Sequence, residues 1–138
     1  MATEITAKKH KPINRTRMNQ PIPRASDILD LIEQIGDHGD RVAYRYYVGK
    51  DIKVMTYGEL HTMVYECAAG FDAMGLKGKR VAVVGDTSPQ WICTYMAALA
   101  AGCVIVPMDK ELDITAIVGL LESVEADAIV YSDSFNGK

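Results

Sequence analysis

The sequence has little that would mark a disulfide-stapled, zinc-binding or secreted protein. It contains three cysteines in 138 residues, an odd number with no C-x-x-C spacing, so neither a disulfide framework nor a zinc or redox motif is indicated. Each lies among apolar residues, where a free thiol packs as a small hydrophobic group: Cys67, Cys93 and Cys103. No apolar segment follows the N-terminus, so no secretory signal peptide is expected. We therefore predict a reducing, cytoplasmic location.

The chain also lacks the basic excess typical of nucleic-acid-binding proteins, since its net charge is −3. That total hides an asymmetry: residues 1–24 carry six Lys/Arg and one Glu, a net +5, and the remainder carries a net −8. A basic arm could contact an anionic membrane surface or nucleic acid. We favour a solvated leader without fixed structure, predict no nucleic-acid partner, and keep peripheral membrane contact as an alternative role for the arm.

One uncharged segment, residues 87–108, is long enough to be tested as a membrane span. Pro89, Gly102 and Pro107 interrupt it, and Ala is more common in it than Leu or Ile. We therefore expect a buried helix followed by a buried strand rather than a span.

The first elements predicted are a helix and a β-hairpin. Ser26 is a candidate N-cap, and apolar residues recur at helical spacing until Gly36: Ile28, Leu31, Ile32 and Ile35. The Tyr and Val residues of segment 42–48 favour a strand. A turn at 49–51 and the apolar alternation after it predict the second strand of a hairpin.

A capping box then predicts the start of a second helix. Thr56 can cap the amide of Glu59, whose side chain can reach back to the Thr56 amide. An apolar stripe follows until Gly75 ends the helix: Leu60, Met63, Val64, Cys67, Phe71 and Met74.

The rest of the chain alternates short apolar strands with helices. Strands are predicted at 80–85, 104–108 and 128–131, and Ser88-Pro89 and Asp113 can begin the helices between them. The first of these helices is apolar nearly all round, so it should be covered on both sides. The second carries an apolar stripe: Ile114, Ile117, Leu121 and Val124. A β-α-β-α-β order implies a parallel sheet with right-handed crossovers.

These elements predict an α/β fold, an N-terminal β-hairpin plus a β-α-β-α-β parallel-sheet segment. A sheet of this kind normally has more strands and helices on both faces. We therefore expect two parts, a basic arm at residues 1–24 and an α/β subdomain at residues 25–138.

Residue chemistry alone does not indicate a reaction. Ligands of parallel sheets bind beyond the carboxyl ends of the strands, which here are segments 85–88, 108–110 and 132–134. No phosphate-binding glycine motif occurs there, so capping and turn roles are favoured over nucleotide binding. No carboxylate pair stands out, and His10, His38 and His61 fit solvated positions. We predict no catalytic, cofactor-binding or metal-binding residue.

Trp91 is the one substrate-channel candidate. It lies on the first turn of the Ala-rich helix, where it could line an apolar channel, while packing in the core is the favoured alternative.

Several segments, in order, resemble the beginning of the adenylate-forming synthetase family. Residues 55–60, MTYGEL, resemble its TYxEL motif. Residues 75–83 resemble its Gly-Asp-Arg-Val segment, with Lys79 in the acidic position. Residues 86–91, DTSPQW, resemble its N-S-x-E-W turn. Residues 97–109, AALAAGCVIVPMD, resemble A-x-x-x-A-G-x-x-x-V-P-L-D. Residues 42–46 and 120–126 are similar to bacterial long-chain fatty acid–CoA ligases. The likeness covers about residues 26–134.

The resemblance implies the larger N-terminal domain of an adenylate-forming enzyme. Such an enzyme activates a carboxylic acid with ATP and magnesium to an acyl-adenylate and transfers the acyl group to CoA. The family's Pro-Lys phosphate loop, ribose-binding acid and lid lysine are expected beyond this chain, so no catalytic residue is carried over. We expect the chain to be an inactive scaffold that binds no cofactor by itself, while the parent binds fatty acid, ATP, magnesium and CoA.

Two other interpretations stay open, a stand-alone α/β ligand-binding module and a domain that docks a protein partner through its sheet edge. The ligase interpretation assigns the exposed faces to the remainder of the same polypeptide. Left bare, those faces should promote self-association.

Overall fold

The structure, a computed structural model, describes residues 24–137, and nearly all of the predicted basic arm lies outside them. The elements follow the predicted order. They are α1 (Ile28–Gly36), β1 (Val42–Val48), β2 (Asp51–Thr56), α2 (Tyr57–Ala73), β3 (Arg80–Val84), α3 (Pro89–Ala100), β4 (Val104–Met108), α4 (Ile114–Ser123), β5 (Ala128–Tyr131) and a 3-10 turn at Asp133–Phe135. The predicted α/β class is confirmed.

The N-cap of α1 differs from the prediction. Asp27, not Ser26, caps the helix, because its Oδ1 accepts the Asp30 amide at 2.9 Å. The Ser26 amide instead donates to Asp30 Oδ2 at 2.8 Å, and this bond lowers the pKa of Asp30. Adjacent Ser and Asp are both good caps, so the backbone path decided between them. The helix buries Ile32 completely.

The β1–β2 hairpin is confirmed and leads directly into α2. Its antiparallel register pairs Val48 with Asp51 across a two-residue turn, in which Gly49 has a φ of 62° that favours glycine. Met55, at 5% exposure, is the one buried residue of the two strands. The hairpin therefore contacts the core through Met55 and through the half-buried Ala43, Tyr44 and Tyr46 of β1.

The capping box of α2 is present in both directions. The Thr56 hydroxyl accepts the Glu59 amide at 3.1 Å, and the Glu59 carboxylate accepts the Thr56 amide at 2.7 Å. Most of the predicted stripe faces the core, together with Ala68. Met74 was placed wrongly, since its side chain is 64% exposed. It is the C-cap, one residue past the last helical turn, so the helical spacing no longer sets its direction.

The three parallel strands form a sheet in the order β4-β3-β5. The central strand is buried on both faces, with Val81, Ala82, Val83 and Val84 all at most 2% exposed. Val81 packs into a core with α1, α2 and α3. Ala82 and Val84 pack into a second core with Ile117 of α4. Alternate residues of β3 thus hold the two crossover helices on opposite sides of the sheet.

Two carboxylates fasten the start of β5 to the start of β3. Asp127 Oδ2 accepts the Arg80 amide at 2.8 Å, and its Oδ1 lies 3.2 Å from Lys79 Nζ. The hydrogen bond from Arg80 and the charge of Lys79 lower the pKa of Asp127. Glu125, which has a φ of 49°, pairs with the Arg80 guanidinium at 3.0 Å. These contacts set the register that pairs Val81 with Ala128.

The uncharged segment divides as predicted into α3 and β4, and apart from Gln90 every residue of α3 is buried or half-buried. Within residues 24–137, no helix has both the length and the apolar character that a bilayer crossing requires.

Replacing the N-cap hydroxyl of α2 should destabilise the protein. We expect Thr56→Ala to lower the free energy of unfolding by about 0.5–2 kcal/mol, because the Glu59 amide loses its acceptor. The matched control is Thr62→Ala, at an exposed position of the same helix, where better helix propensity should raise stability slightly. Urea unfolding followed by circular dichroism measures both. Equal midpoints for the two variants would contradict a stabilising capping box.

Candidate functional site

The strand order creates a crevice at the carboxyl ends of β3 and β5. The connection through α3 takes the chain to one neighbour of β3, and the connection through α4 brings it back to the other. Ligands of open α/β sheets bind where such connections diverge. A cavity of about 150 Å³ lies here. It is lined by Val83, Val84, Asp86, Ser88, Gln90, Trp91, Thr94, Val130, Tyr131 and Ser132.

The first turn of α3 forms one wall of the crevice. Ser88 caps the helix, its Oγ accepting the Trp91 amide at 3.1 Å, with Pro89 in the first turn. Trp91 is half-buried and stacks on Tyr95, with ring centroids 5.6 Å apart. It belongs to neither buried cluster. Trp91 therefore lines the crevice, and a channel role stays a prediction.

Beside the crevice, the ends of β3 and β5 approach each other closely. A Cβ built on Gly85 would lie 2.8 Å from both Cβ and Oγ of Ser132. The Ser132 amide also donates to the Val84 carbonyl at 3.2 Å. Only a residue without a side chain fits this contact unless Ser132 moves. Gly85 therefore lets the two strand ends close on each other.

The end of β4 contributes an ion pair beside the crevice. Lys110 Nζ lies 2.8 Å from Asp86 Oδ1, and this hydrogen bond raises the pKa of Lys110. Glu111 lies 3.7 Å from the same ammonium. Lys110 is thus paired with carboxylates at an exposed position.

The capping and turn roles expected at the strand ends are confirmed. Besides the Ser88 cap, Asp109 Oδ1 accepts the Glu111 amide at 2.9 Å. Ser132 and Ser134 share a hydrogen bond of 2.7 Å between their hydroxyls. The three predicted segments do meet at one end of the sheet. Sequence reasoning missed Gln90, Thr94 and Tyr131, although the spacing of Gln90 and Thr94 along one helix face was a usable signal.

Of the three histidines, His61 contributes to packing between α1 and α2. His38 is exposed, as expected, and His10 lies outside the described residues. His61 was wrongly expected to be solvated: its ring packs against Gly36, and its buried Nε2 has no hydrogen-bond partner among the described residues. Glu33 Oε2 lies 3.7 Å from that nitrogen. This contact joins α1 to α2, and neither Glu33 nor His61 lines the crevice.

This fold is that of the N-terminal α/β portion of an adenylate-forming enzyme. It has a parallel sheet, a helix on each face of the sheet and a hairpin before it. The model of the AMP-binding enzyme family matches residues 31–137. The chain belongs to this family.

Relatives within the family act on different acids. The chain is 33% identical over 89 residues to the L-proline–[L-prolyl-carrier protein] ligase of Streptomyces coelicolor, covering 64% of this chain and 16% of that protein. It is 28% identical over 78 residues to the long-chain-fatty-acid–CoA ligase FadD13 of Mycobacterium tuberculosis, covering 56% of this chain and 16% of that protein. This chain therefore spans about a sixth of either relative.

A solved structure has the same arrangement. The N-terminal subdomain of NpsA from Klebsiella oxytoca, in complex with 3-hydroxyanthranilyl-AMSN, aligns with a TM-score of 0.65 at 29% identity. The match covers 78% of this chain and 26% of that one. The predicted family and N-terminal fold class are confirmed.

Filling the contact at Gly85 should disturb the crevice. We expect Gly85→Ala to lower the free energy of unfolding by about 1–3 kcal/mol, because the new methyl group overpacks Ser132. Combining it with Ser132→Gly should restore part of the loss.

The matched control is Gly70→Ala in α2, where an added Cβ meets nothing within 4 Å. That change should stabilise the protein by about 0.5–1 kcal/mol through helix propensity. Thermal unfolding compares the three variants, and a neutral Gly85→Ala would show that the two strand ends are not in tight contact.

Proposed function

We propose that this chain is the scaffold portion of an AMP-forming acid–CoA ligase whose acid substrate is a long-chain fatty acid. The match of residues 31–137 to the AMP-binding enzyme family carries the proposal. The similarity to FadD13 and the sequence likeness at residues 42–46 and 120–126 support a fatty acid. The comparable similarity to a prolyl ligase supports ligase chemistry without favouring one acid.

In this proposal the parent enzyme joins the carboxylate to the α-phosphate of ATP and releases pyrophosphate. CoA then displaces AMP to form the thioester. Both steps need donors and a cation for developing negative charge. Among residues 24–137, no group of three His, Cys, Asp or Glu side chains is placed to share a metal ion, and Lys110 is paired with Asp86. These residues do not fit magnesium or a triphosphate, so no step of adenylation is assigned to them.

The crevice offers apolar surface to a substrate beside polar side chains such as Gln90 and Thr94. Trp91, Val130 and Tyr131 line the crevice, and all three present carbon surface suited to an alkyl chain. The volume of the crevice, about 150 Å³, is below the roughly 300–1,000 Å³ of complete ligand pockets. We infer that Trp91 lines one wall of an acyl channel and that the remainder of the polypeptide supplies the other walls.

An ATP–pyrophosphate exchange assay with a long-chain fatty acid tests whether this chain is an inactive scaffold and the longer polypeptide carries the activity. We expect no exchange by the 138-residue chain and measurable exchange by a longer polypeptide that includes it. In the longer protein, Trp91→Ala should lower the ratio of kcat/KM for long over short acids about tenfold, the effect of losing one or two methylene contacts. Trp91→Phe should keep most of the ratio, and Thr62→Ala, outside the crevice, should keep all of it.

Two outcomes would contradict these proposals separately. Exchange by the 138-residue chain would overturn its scaffold role. An equal loss for every acid in Trp91→Ala would assign Trp91 to packing rather than to the channel, and would leave the ligase proposal intact.

We also propose that the remainder of the polypeptide covers the outer sheet face beside α4. Val118, Ile129 and Tyr131 are 46%, 38% and 52% exposed there, around an apolar groove of about 260 Å³. In the described chain, β4 and β5 each pair on one side only. Unpaired edges beside exposed apolar surface favour association between copies.

Sedimentation velocity over a dilution series tests whether this exposed face causes the chain to self-associate. The 138-residue chain should self-associate, and Val118→Lys together with Ile129→Lys should shift it toward monomer, since buried lysine is costly at an interface. The control Ile52→Lys changes a residue that is 60% exposed on the distant hairpin and should leave association unchanged. A wild-type chain that stays monomeric at every concentration would exclude the proposed bare interface.

A further inference from the structure

The β1–β2 hairpin has an apolar face that points away from the core. Tyr46 packs toward the core, and because side chains alternate along a strand, its neighbours Arg45 and Tyr47 face outward. Tyr47 pairs with Ile52 across the hairpin, and Arg45 pairs with Val54. Tyr47, Ile52 and Val54 are 75%, 60% and 50% exposed. These three apolar side chains form one exposed surface, the hairpin patch.

Basic residues accompany the hairpin patch. Arg45 lies on its face, Lys50 lies in the turn and Lys53 lies on β2, and all three are exposed. Within the described part of the chain, none of the three forms a salt bridge. Segment 41–54 has a net charge of +3, whereas residues 25–138 together have a net charge of −8. The hairpin is therefore a basic element of an acidic subdomain, and its cations are available to an external anion.

This combination favours a lipid bilayer over a protein as the partner. The cores of protein interfaces are depleted in lysine, and lysine on an unpaired edge discourages strand pairing with another chain. Tyrosine, by contrast, is enriched at the headgroup level of membranes. Lysine can keep its ammonium group among the headgroups while its methylene stem covers apolar surface. The hairpin patch and its cations thus match the two layers of a bilayer surface.

We propose that the tip of the β1–β2 hairpin binds the surface of an anionic phospholipid bilayer. Tyr47 and Ile52 enter the boundary between headgroups and acyl chains, and the three basic residues contact lipid phosphates. The contact is shallow and reversible, because a few side chains bury much less apolar surface than an amphipathic helix does. This surface is distinct from residues 1–24, and the proposal does not depend on which acid the parent enzyme activates.

Flotation of the 138-residue chain with vesicles tests the proposal. Vesicles of equimolar phosphatidylcholine and phosphatidylserine are compared with vesicles of phosphatidylcholine alone. We expect the chain to float with the anionic vesicles and to bind the neutral vesicles far more weakly. Added salt should weaken the binding, because it screens exposed charges.

Two double variants separate the charged and the apolar contributions. Lys50→Gln with Lys53→Gln should lower the partition coefficient on anionic vesicles about 25-fold, since each nearby cation contributes about fivefold. Tyr47→Thr with Ile52→Thr should lower it about tenfold, because apolar surface is lost. Threonine keeps the strand propensity, and all four positions are exposed, so both variants should fold, as circular dichroism would verify.

Each double variant has a matched control elsewhere in the chain. Lys8→Gln with Lys9→Gln removes the same charge from the N-terminal segment. Val118→Thr with Ile129→Thr removes two exposed apolar residues from the sheet face beside α4. Both controls should bind nearly as the wild type does. Hairpin variants that bind as tightly as the wild type would overturn the proposal, and loss of binding in the Lys8 and Lys9 variant alone would assign the membrane contact to the N-terminal segment.

Tryptophan fluorescence tests the contact directly. In a Trp91→Phe background, Tyr47→Trp should be quenched by lipid with brominated acyl chains, whereas Val118→Trp in the same background should not be. The same result is expected in a longer polypeptide that includes this chain. A tryptophan at position 47 whose emission is blue-shifted there without lipid, and is not quenched by brominated lipid, would show that the remainder of the polypeptide covers the hairpin patch and would refute membrane binding through it.

Discussion

The structure depends on the burial of β3 on both of its faces. A strand flanked by β4 and β5 has no free edge, and its side chains alternate between two cores. Val81 requires cover by α1, α2 and α3, whereas Ala82 and Val84 require cover by α4, because exposed aliphatic surface costs about 25 cal/mol per Å². That demand places one crossover helix on each side of the sheet and so produces the divergence at which the crevice opens.

Polar contacts refine what this burial establishes. The Asp127 and Glu125 contacts to Arg80 lie at the amino end of the sheet, and the Lys110–Asp86 pair lies at the carboxyl end. All are exposed, and exposed pairs contribute little to stability. Their effect is to select one register among those that hydrophobic burial alone would tolerate. The close contact between Gly85 and Ser132 also favours one register, because a side chain larger than hydrogen at position 85 would clash with Ser132.

Membership in the AMP-binding enzyme family is consistent with a scaffold that serves several acids. Relatives named for proline and for long-chain fatty acids match this chain over 89 and 78 residues at similar identity, 33% and 28%. A fold can be shared while the chemistry is decided by a few side chains in its site. Here the described residues form strands, helix caps and a crevice with both apolar and polar lining, a shared framework that does not by itself identify the acid.

Local physics explains why most elements were predictable. The capping box at Thr56 and Glu59, the turn at Gly49 and the caps at Ser88 and Asp113 are contacts between residues within a few positions of each other, and all are present. The two local errors, Ser26 and Met74, fall at helix ends, where a shift of one residue changes the cap or the direction of a side chain.

The sequence by itself determined which segments are helices and strands, that the last three strands are parallel, and which family the chain resembles, because spacing, capping and motifs are written locally. Only the tertiary structure decided the order β4-β3-β5, the contact of the His61 ring with Gly36, and the crevice lining of Tyr131 and Thr94. These contacts join residues far apart in sequence. Their formation depends on how whole elements pack, since both cores of β3 must be filled at once.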